Sequence, residues 1–305
     1  MSFEVTILGS SSATPIYQRH PTAQVLQVHE RFFLVDCGEG TLIQLNRYQI
    51  KFHRINHIFI SHLHGDHYLG LMGLLSTMHL QGRKTELHVF GPAALWEIIE
   101  VQLRHSQTEL RYPIRFQAVN PDVPTVLYED ETLRVTTILL SHRIPCTGFL
   151  FEEQPKPRKI IKDKLAEYAI PLESYASLKA GEDLVLEDGR VVLNAELTTA
   201  PPPTRRYAYC SDTIYDERMV DIVKGVDLLY HESTFLHELA DRAAETFHST
   251  ARQAATIAKK SGVKRLIIGH FSARYKSLYP LLEEAKEVFD NTTLAMEGDR
   301  FSIEG

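Results

Sequence analysis

The stretch Ser61-His62-Leu63-His64-Gly65-Asp66-His67 packs three imidazoles and a carboxylate into the six positions from 62 to 67. The run before it, Ile55 to Ile60, is apolar except for Asn56 and His57 and reads as a buried strand. The run after it, Tyr68 to Leu75, reads as a packed helix. The four polar side chains therefore crowd a sharp strand-to-helix turn, where Gly65 is expected to relieve the backbone. In such a turn the side chains at 62 and 64 can converge on one point and those at 66 and 67 on a second. Imidazole with carboxylate suits zinc, manganese or iron, and the lack of a nearby cysteine argues against a closed structural zinc site.

The same grammar, a strand that stops at a ligand-type residue, returns along the chain. The β stretch Thr125–Leu140, hairpinned at Glu129-Asp130-Glu131, ends in Ser141-His142. Tyr207-Ala208-Tyr209-Cys210-Ser211 runs into Asp212, and Asp227 to Tyr230 runs into His231-Glu232. Arg265 to Gly269 runs into His270. Earlier strands are expected at 3–8, 24–28 and 32–35, followed by Asp36 as a turn or capping residue and a helix near Thr41–Arg47. Later come a strand at Leu87–Phe90, a helix from Ala93 to His105 and a strand near Ile114–Val119. An amphipathic helix, Ala251–Ser261, has Ser249 or Thr250 as its N-cap. Alternating strands and helices make the class α/β.

One segment breaks the pattern. Residues 152–203 are polar, open with Lys156, Arg158, Lys159, Lys162 and Lys164, and read as an arm inserted into a single domain spanning 1–305. Within the arm, two weak helices and a hairpin around Asp188-Gly189 are expected, and no core.

Composition excludes several classes. Hydrophobic residues make up 44% and charged residues 24%, as in an ordinary globular protein. No run approaches the ~18 apolar residues of a membrane span. The opening Met-Ser-Phe-Glu-Val-Thr-Ile-Leu-Gly reads as a first strand and not as a signal peptide. Three widely spaced cysteines, Cys37, Cys146 and Cys210, make no disulfide framework, and a reducing cytoplasm is the expected compartment. The net charge of −6 is unlike that of most nucleic-acid binders, yet phosphate contacts depend on local clusters.

The form His-x-His-x-Asp-His resembles the signature of the metallo-β-lactamase superfamily. Its wider wording, continued by Leu69-Gly70-Leu71, resembles the ribonuclease Z family. Also similar to that family are Ser211-Asp212-Thr213, His231-Glu232-Ser233-Thr234, His248-Ser249-Thr250 and the stretch from Gly269 to Tyr275. The superfamily resemblance implies an αββα four-layer sandwich, here with a protruding arm, and two metal ions. His62, His64 and His142 would hold one ion and Asp66, His67 and His270 the other, with Asp212 bridging. It further implies an Asp, at the place of Asp36, hydrogen-bonded beside the metal site.

The narrower resemblance implies a zinc-dependent endoribonuclease, with manganese the alternative metal, that removes the 3′ trailer of precursor tRNA and leaves a 3′-hydroxyl. Asp66 would act as base, and Glu232 would hold His248 as proton donor. The arm, with Lys156, Arg158 and Lys159, would grip tRNA within a homodimer, presenting substrate to the other subunit's site. The chain departs from the family at Ile170-Pro171-Leu172-Glu173-Ser174, where the arm elsewhere carries a Gly-Pro-rich turn. Two other readings compete. A small-molecule phosphodiesterase or thioester hydrolase of the same fold would need no arm. An RNA-binding or assembly protein would carry a merely structural metal site.

Overall fold

The computed structural model describes residues 2–304, which form a large unit and a small one. The large unit, residues up to 129, 133–152 and 205–304, is built on two seven-stranded sheets. From edge to edge the first sheet runs Arg300–Ser302, Phe3–Gly9, Ala23–Val28, Arg31–Val35, Ile55–Phe59, Leu87–Gly91, Ile114–Ala118. The second runs Thr292–Leu294, Arg265–Gly269, Leu228–Glu232, Arg206–Cys210, Cys146–Glu153, Leu133–Leu140, Val126–Glu129. Each sheet contains a block of four parallel strands: Arg31–Val35 through Ile114–Ala118 in the first, and Arg206–Cys210 through Thr292–Leu294 in the second. Within each block all carboxyl ends lie along one edge.

The apolar runs in the sequence are strands covered on both faces. Phe33 and Phe59 point between the sheets, where they meet Phe149, Phe151, Tyr207 and Tyr209. Their neighbours Leu34 and Ile58 point the other way, under Leu71, Leu74 and Leu75 of the helix Leu71–Leu80. On the far side of the second sheet, Leu229, Leu266 and Ile268 are covered by Ala254, Ile257 and Ala258 of the helix Ala251–Ser261. The layers are thus helix, sheet, sheet, helix. Each large apolar side chain buried in them contributes about 1.5–3 kcal/mol. The strand ends are consequently held by cores on two sides.

Thr250 is the N-cap of Ala251–Ser261, exchanging hydrogen bonds with Gln253 in a capping box. Ser249 instead donates to the Thr213 carbonyl at 2.7 Å. Gly65 departs from expectation: it opens the short helix Gly65–Tyr68 and is absent from the positive-φ residues. The left-handed positions at this edge belong to Asp36 (φ 55°), Asp212 (φ 52°) and His270 (φ 58°). Glycine is required instead at Gly70, where a Cβ would lie 2.2 Å from the Gly38 carbonyl oxygen. The strand Cys146–Glu153 and the elements after Phe271, namely Tyr279–Lys286, Thr292–Leu294 and Arg300–Ser302, had no counterpart in the sequence reading.

The small unit comprises Asp130–Thr132 and Glu153–Thr204. It holds short helices, Lys162–Glu167, Tyr175–Ala180 and Asn194–Leu197, and two-residue strand pairs, Lys159–Ile160 with Thr198–Thr199 and Leu184–Val185 with Val191–Val192. Contrary to the sequence reading, it has a core of its own: Ile170, Leu178, Leu184, Val192 and Leu197 are buried together. Asn194 ties that core, its amide donating to the carbonyls of Leu178 at 2.8 Å and Glu182 at 2.7 Å. Nor is the segment basic throughout, since residues 153–204 carry seven Lys and Arg against nine Asp and Glu. Five of those seven basic residues lie in 156–164. Among the described residues, no helix is long and apolar enough to cross a membrane.

Candidate metal centre and active site

The parallel strands carry their ligand-type residues at their carboxyl ends, so the two sheets deliver them to a common edge. Ile55–Phe59 feeds the His62–His67 turn, and Arg206–Cys210 feeds Asp212. Arg265–Gly269 feeds His270, Leu228–Glu232 ends in Glu232 itself, and the antiparallel Leu133–Leu140 feeds His142. His62, His67, Asp212, Glu232 and His270 are buried.

Three overlapping groups of donor atoms result, two of them without His248 and the third made of Asp212, His248 and His270. In the first, His64 Nδ1 stands 3.0 Å from His62 Nε2 and 3.2 Å from His142 Nε2. Asp212 Oδ2 lies 3.5 Å from His62 Nε2 and 3.7 Å from His142 Nε2. In the second, Asp212 Oδ1 lies 3.2 Å from both His67 Nε2 and His270 Nε2. Asp66 Oδ2 lies 3.5 Å from His67 Nε2 and 3.3 Å from His270 Nε2. Tetrahedral ligands about 2.0–2.1 Å from a common ion stand about 3.3 Å apart. Both groups have those edges, and Asp212 gives one oxygen to each.

The proton inventory fits cations as well. His62 Nδ1 contacts the Ser61 hydroxyl at 3.0 Å and His142 Nδ1 contacts the Phe247 carbonyl at 2.9 Å, which leaves both Nε2 lone pairs facing inward. His67 Nε2 is buried and, among the described residues, meets no acceptor in good hydrogen-bond geometry, although Asp212 Oδ1 stands 3.2 Å away. Burial holds His62, His64 and His142 below the usual imidazole range, in the neutral form a metal ligand needs. Around His67, burial is outweighed by the carboxylates of Asp212, Asp66 and Asp36, which hold its pKa well up. Three carboxylates collected about one buried ring call for positive charge there.

Two further carboxylates of this edge are built alike. Asp36 Oδ2 accepts from His67 Nδ1 at 2.7 Å and from the Ser61 hydroxyl at 2.9 Å, and Ser61 in turn faces His62. Glu232 Oε1 lies 2.8 Å from His248 Nδ1, and Glu232 Oε2 accepts from the Thr234 hydroxyl at 2.6 Å. Thr234 then meets His270 Nδ1 at 3.0 Å. Each carboxylate thus fixes one histidine directly and a second through a hydroxyl, setting the tautomer of both. Tyr209, reaching from the opposite sheet, donates to Asp36 at 2.6 Å. Of the two readings for Asp36, the one beside the candidate metal ligands describes its contacts.

Burial works against charge on His248, but the Glu232 carboxylate prevails through its field and its hydrogen bond and lifts the ring to about 9. With Nδ1 on Glu232, its Nε2–H is left to face the pocket. That pocket, about 320 Å³, is lined by His64, Asp66, Asp212, His248 and His270 and rimmed by Ser12, Glu39 and Arg143. Ala13 donates its N–H to Asp66 Oδ2 at 2.7 Å. The structure therefore brings together His62, His64, Asp66, His67, His142, Asp212, Glu232, His248 and His270. Lys156, Arg158 and Lys159 belong to the small unit. Sequence reasoning missed Ser61, Tyr209 and Thr234 as supports. Ser61 and Thr234 were inside quoted motifs, whereas Tyr209 looks like any core aromatic.

Comparison with known proteins follows from this geometry. The family model described as anti-Pycsar protein Apyc1 matches residues 3–155, the part that carries the histidine turn and His142. The chain is 48% identical over 295 residues to ribonuclease Z of Bacteroides fragilis (strain YCH46), covering 97% of each chain. Its structure is similar to that of the short form of human tRNase Z, with TM-score 0.71, 30% identity and coverage of 99% and 100%. It is also similar to YhfI of Bacillus subtilis, a metallo-β-lactamase fold protein, with TM-score 0.69, 19% identity and 98% of each chain covered; at that identity only the fold is shared. The layered sheets are a metallo-β-lactamase fold, and the chain belongs to the ribonuclease Z family.

Proposed function

We propose that this protein is a metal-dependent endoribonuclease that cuts precursor tRNA after the discriminator base, leaving a 3′-hydroxyl on the tRNA. The observation that carries this reading is the pair of ligand groups sharing Asp212, opened to a pocket into which His248 points. His62, His64 and His142 would hold one zinc ion and Asp66, His67 and His270 the other, with manganese the alternative metal. When bound, two such cations supply an activated water and a clamp for the charge of phosphoryl displacement.

The chain's own residues do the rest. The Asp66 carboxylate, its Oδ2 steadied by the Ala13 N–H, takes the proton of the attacking water. As the water oxygen bonds to phosphorus and the bond to O3′ breaks, His248 delivers its Nε2 proton to O3′. Glu232 keeps that proton on His248 at neutral pH and holds the ring in place. Asp36 and Glu232, buried at 0% exposure, keep the first-rank histidines from turning.

Substrate grip would come from the small unit, which we read as an RNA-binding arm of a cytoplasmic homodimer. Lys156, Arg158 and Lys159 offer their charges, Arg158 held by a hydrogen bond from Nε to Thr198 at 2.7 Å, while Lys164 pairs with Glu167 at 2.6 Å. The arm's available positive charge is therefore smaller than the count of basic residues suggests. The test is cleavage of end-labelled precursor tRNA with and without chelator. The expected result is a single cut after the discriminator base that disappears on chelation and returns with zinc. Undiminished hydrolysis of small phosphodiesters with no cut in precursor tRNA would move the assignment to the small-molecule hydrolase.

A further inference from the structure

The rim of the pocket carries a cation that neither ligand group uses. Arg143 follows His142 directly, is exposed, and lines the same cavity as Asp66, Asp212 and His248. Its one hydrogen-bonding contact among the described residues is with His64 Nε2, 3.3 Å from a guanidinium nitrogen. What that contact means depends on where His64 keeps its proton. His64 Nδ1 is the atom that meets His62 and His142, so it is the one aimed into the first ligand group. A neutral imidazole has a single N–H; once Nδ1 directs its lone pair at a cation, Nε2 carries the hydrogen. Guanidinium nitrogens can only donate. In the metal-loaded protein, donor therefore faces donor across this contact, and no hydrogen bond forms. Arg143 is left at the pocket mouth with a planar fork of donors and no acceptor from the described protein.

We infer that Arg143 is a substrate-binding residue, its fork donating to a non-bridging phosphate oxygen of the RNA strand that enters the pocket. The inference rests on the proposed function and adds to it a phosphate contact on the body of the enzyme, separate from the arm. A fork suits phosphate better than a point charge does, because two parallel donors fix its orientation as well as its position.

Equilibrium binding of precursor tRNA to the zinc-loaded His248→Ala protein, in which RNA is held but cut slowly, gives the readout. Arg143→Ala in that background should weaken binding about tenfold and lower the slope of affinity against salt by about one. Arg143→Lys should restore the slope but only part of the affinity. Metal content by elemental analysis should be the same in all of them. The KM for bis(p-nitrophenyl) phosphate, measured with His248 intact, locates the contact. A raised KM in Arg143→Ala places it on the scissile phosphate, and an unchanged KM beside weakened RNA binding places it on a neighbouring one. Unchanged RNA affinity and slope would overturn the inference. So would a loss of metal in Arg143→Ala, which would make the residue a support for His64. If the protein with Arg143 intact fails to bind precursor tRNA, the proposed function falls, and this inference falls with it.

Discussion

The metal-binding edge and the small unit are built to different standards. At the edge, Asp36 alone accepts hydrogen bonds from Ser61 N at 2.8 Å, the Ser61 hydroxyl, His67 and Tyr209, and it is fully buried. In the small unit, strands are two residues long, helices reach at most six, and five buried apolar residues make the core. Chemistry on a phosphodiester demands groups fixed to a fraction of an ångström, so its residues stand on strand ends braced from two layers. Gripping an RNA backbone asks only that positive charge reach phosphates. The small unit's construction is sufficient for that task and would be insufficient for catalysis.

Substitutions can sharpen or break this contrast. The largest effect among them is expected at His248, where replacement by Ala should slow cleavage about 10²–10⁴-fold while leaving metal content and precursor-tRNA affinity intact. Emptying of the metal sites in that variant would reveal His248 as a ligand, in the group it forms with Asp212 and His270. Next come the two hydroxyl relays. Ser61→Ala should loosen His62 and Thr234→Val should loosen His270, each lowering zinc affinity about 10–100-fold in a chelator competition titration. Wild-type affinity in both variants would leave the hydroxyls as mere core polar groups.

A pH profile reads the Glu232–His248 pair. His248 must be protonated to donate, and its pKa is lifted to about 9 by Glu232 against the effect of burial. Activity should therefore hold through neutral pH and fall only as pH rises through the alkaline range. Glu232→Gln removes the opposing charge and leaves burial in command, so the alkaline limb should move to lower pH. A limb that stays in place would detach His248 from Glu232. The smallest effects are expected in the small unit. Lys156→Ala and Lys159→Ala should each weaken precursor-tRNA binding a few-fold and flatten its salt dependence by about one, with no change in hydrolysis of a small diester. An effect on the small diester would mean that the arm is coupled to the chemistry.

The same contrast governs what could be read from the sequence. His142, Asp212 and His270 were legible because an apolar run that stops at a donor residue is a local signal, and the sheets then do the gathering. The strained backbone was misplaced: Gly65 drew attention as the permissive residue, while Asp36, Asp212 and His270 carry the positive φ. Tyr209 was illegible as a support because its phenol reaches Asp36 across the sandwich, a pairing 173 residues apart that no local pattern encodes. In the small unit, Ile170, Leu178, Leu184, Val192 and Leu197 follow neither one helical nor one strand period, so a core assembled from short helices and two-residue strands left the segment looking polar. Arg143 was passed over beside His142, since its setting shows only once His64 is seen to turn Nδ1 inward.

The central claim is that one carboxylate, Asp212, completes two metal sites at once. Zinc stoichiometry by elemental analysis, on wild type and Asp212→Ala loaded under identical conditions, tests it most directly. The account predicts two ions per wild-type chain and loss of both in the variant, together with loss of precursor-tRNA cleavage. One ion per wild-type chain, or a variant that keeps both ions and cuts RNA, would contradict it.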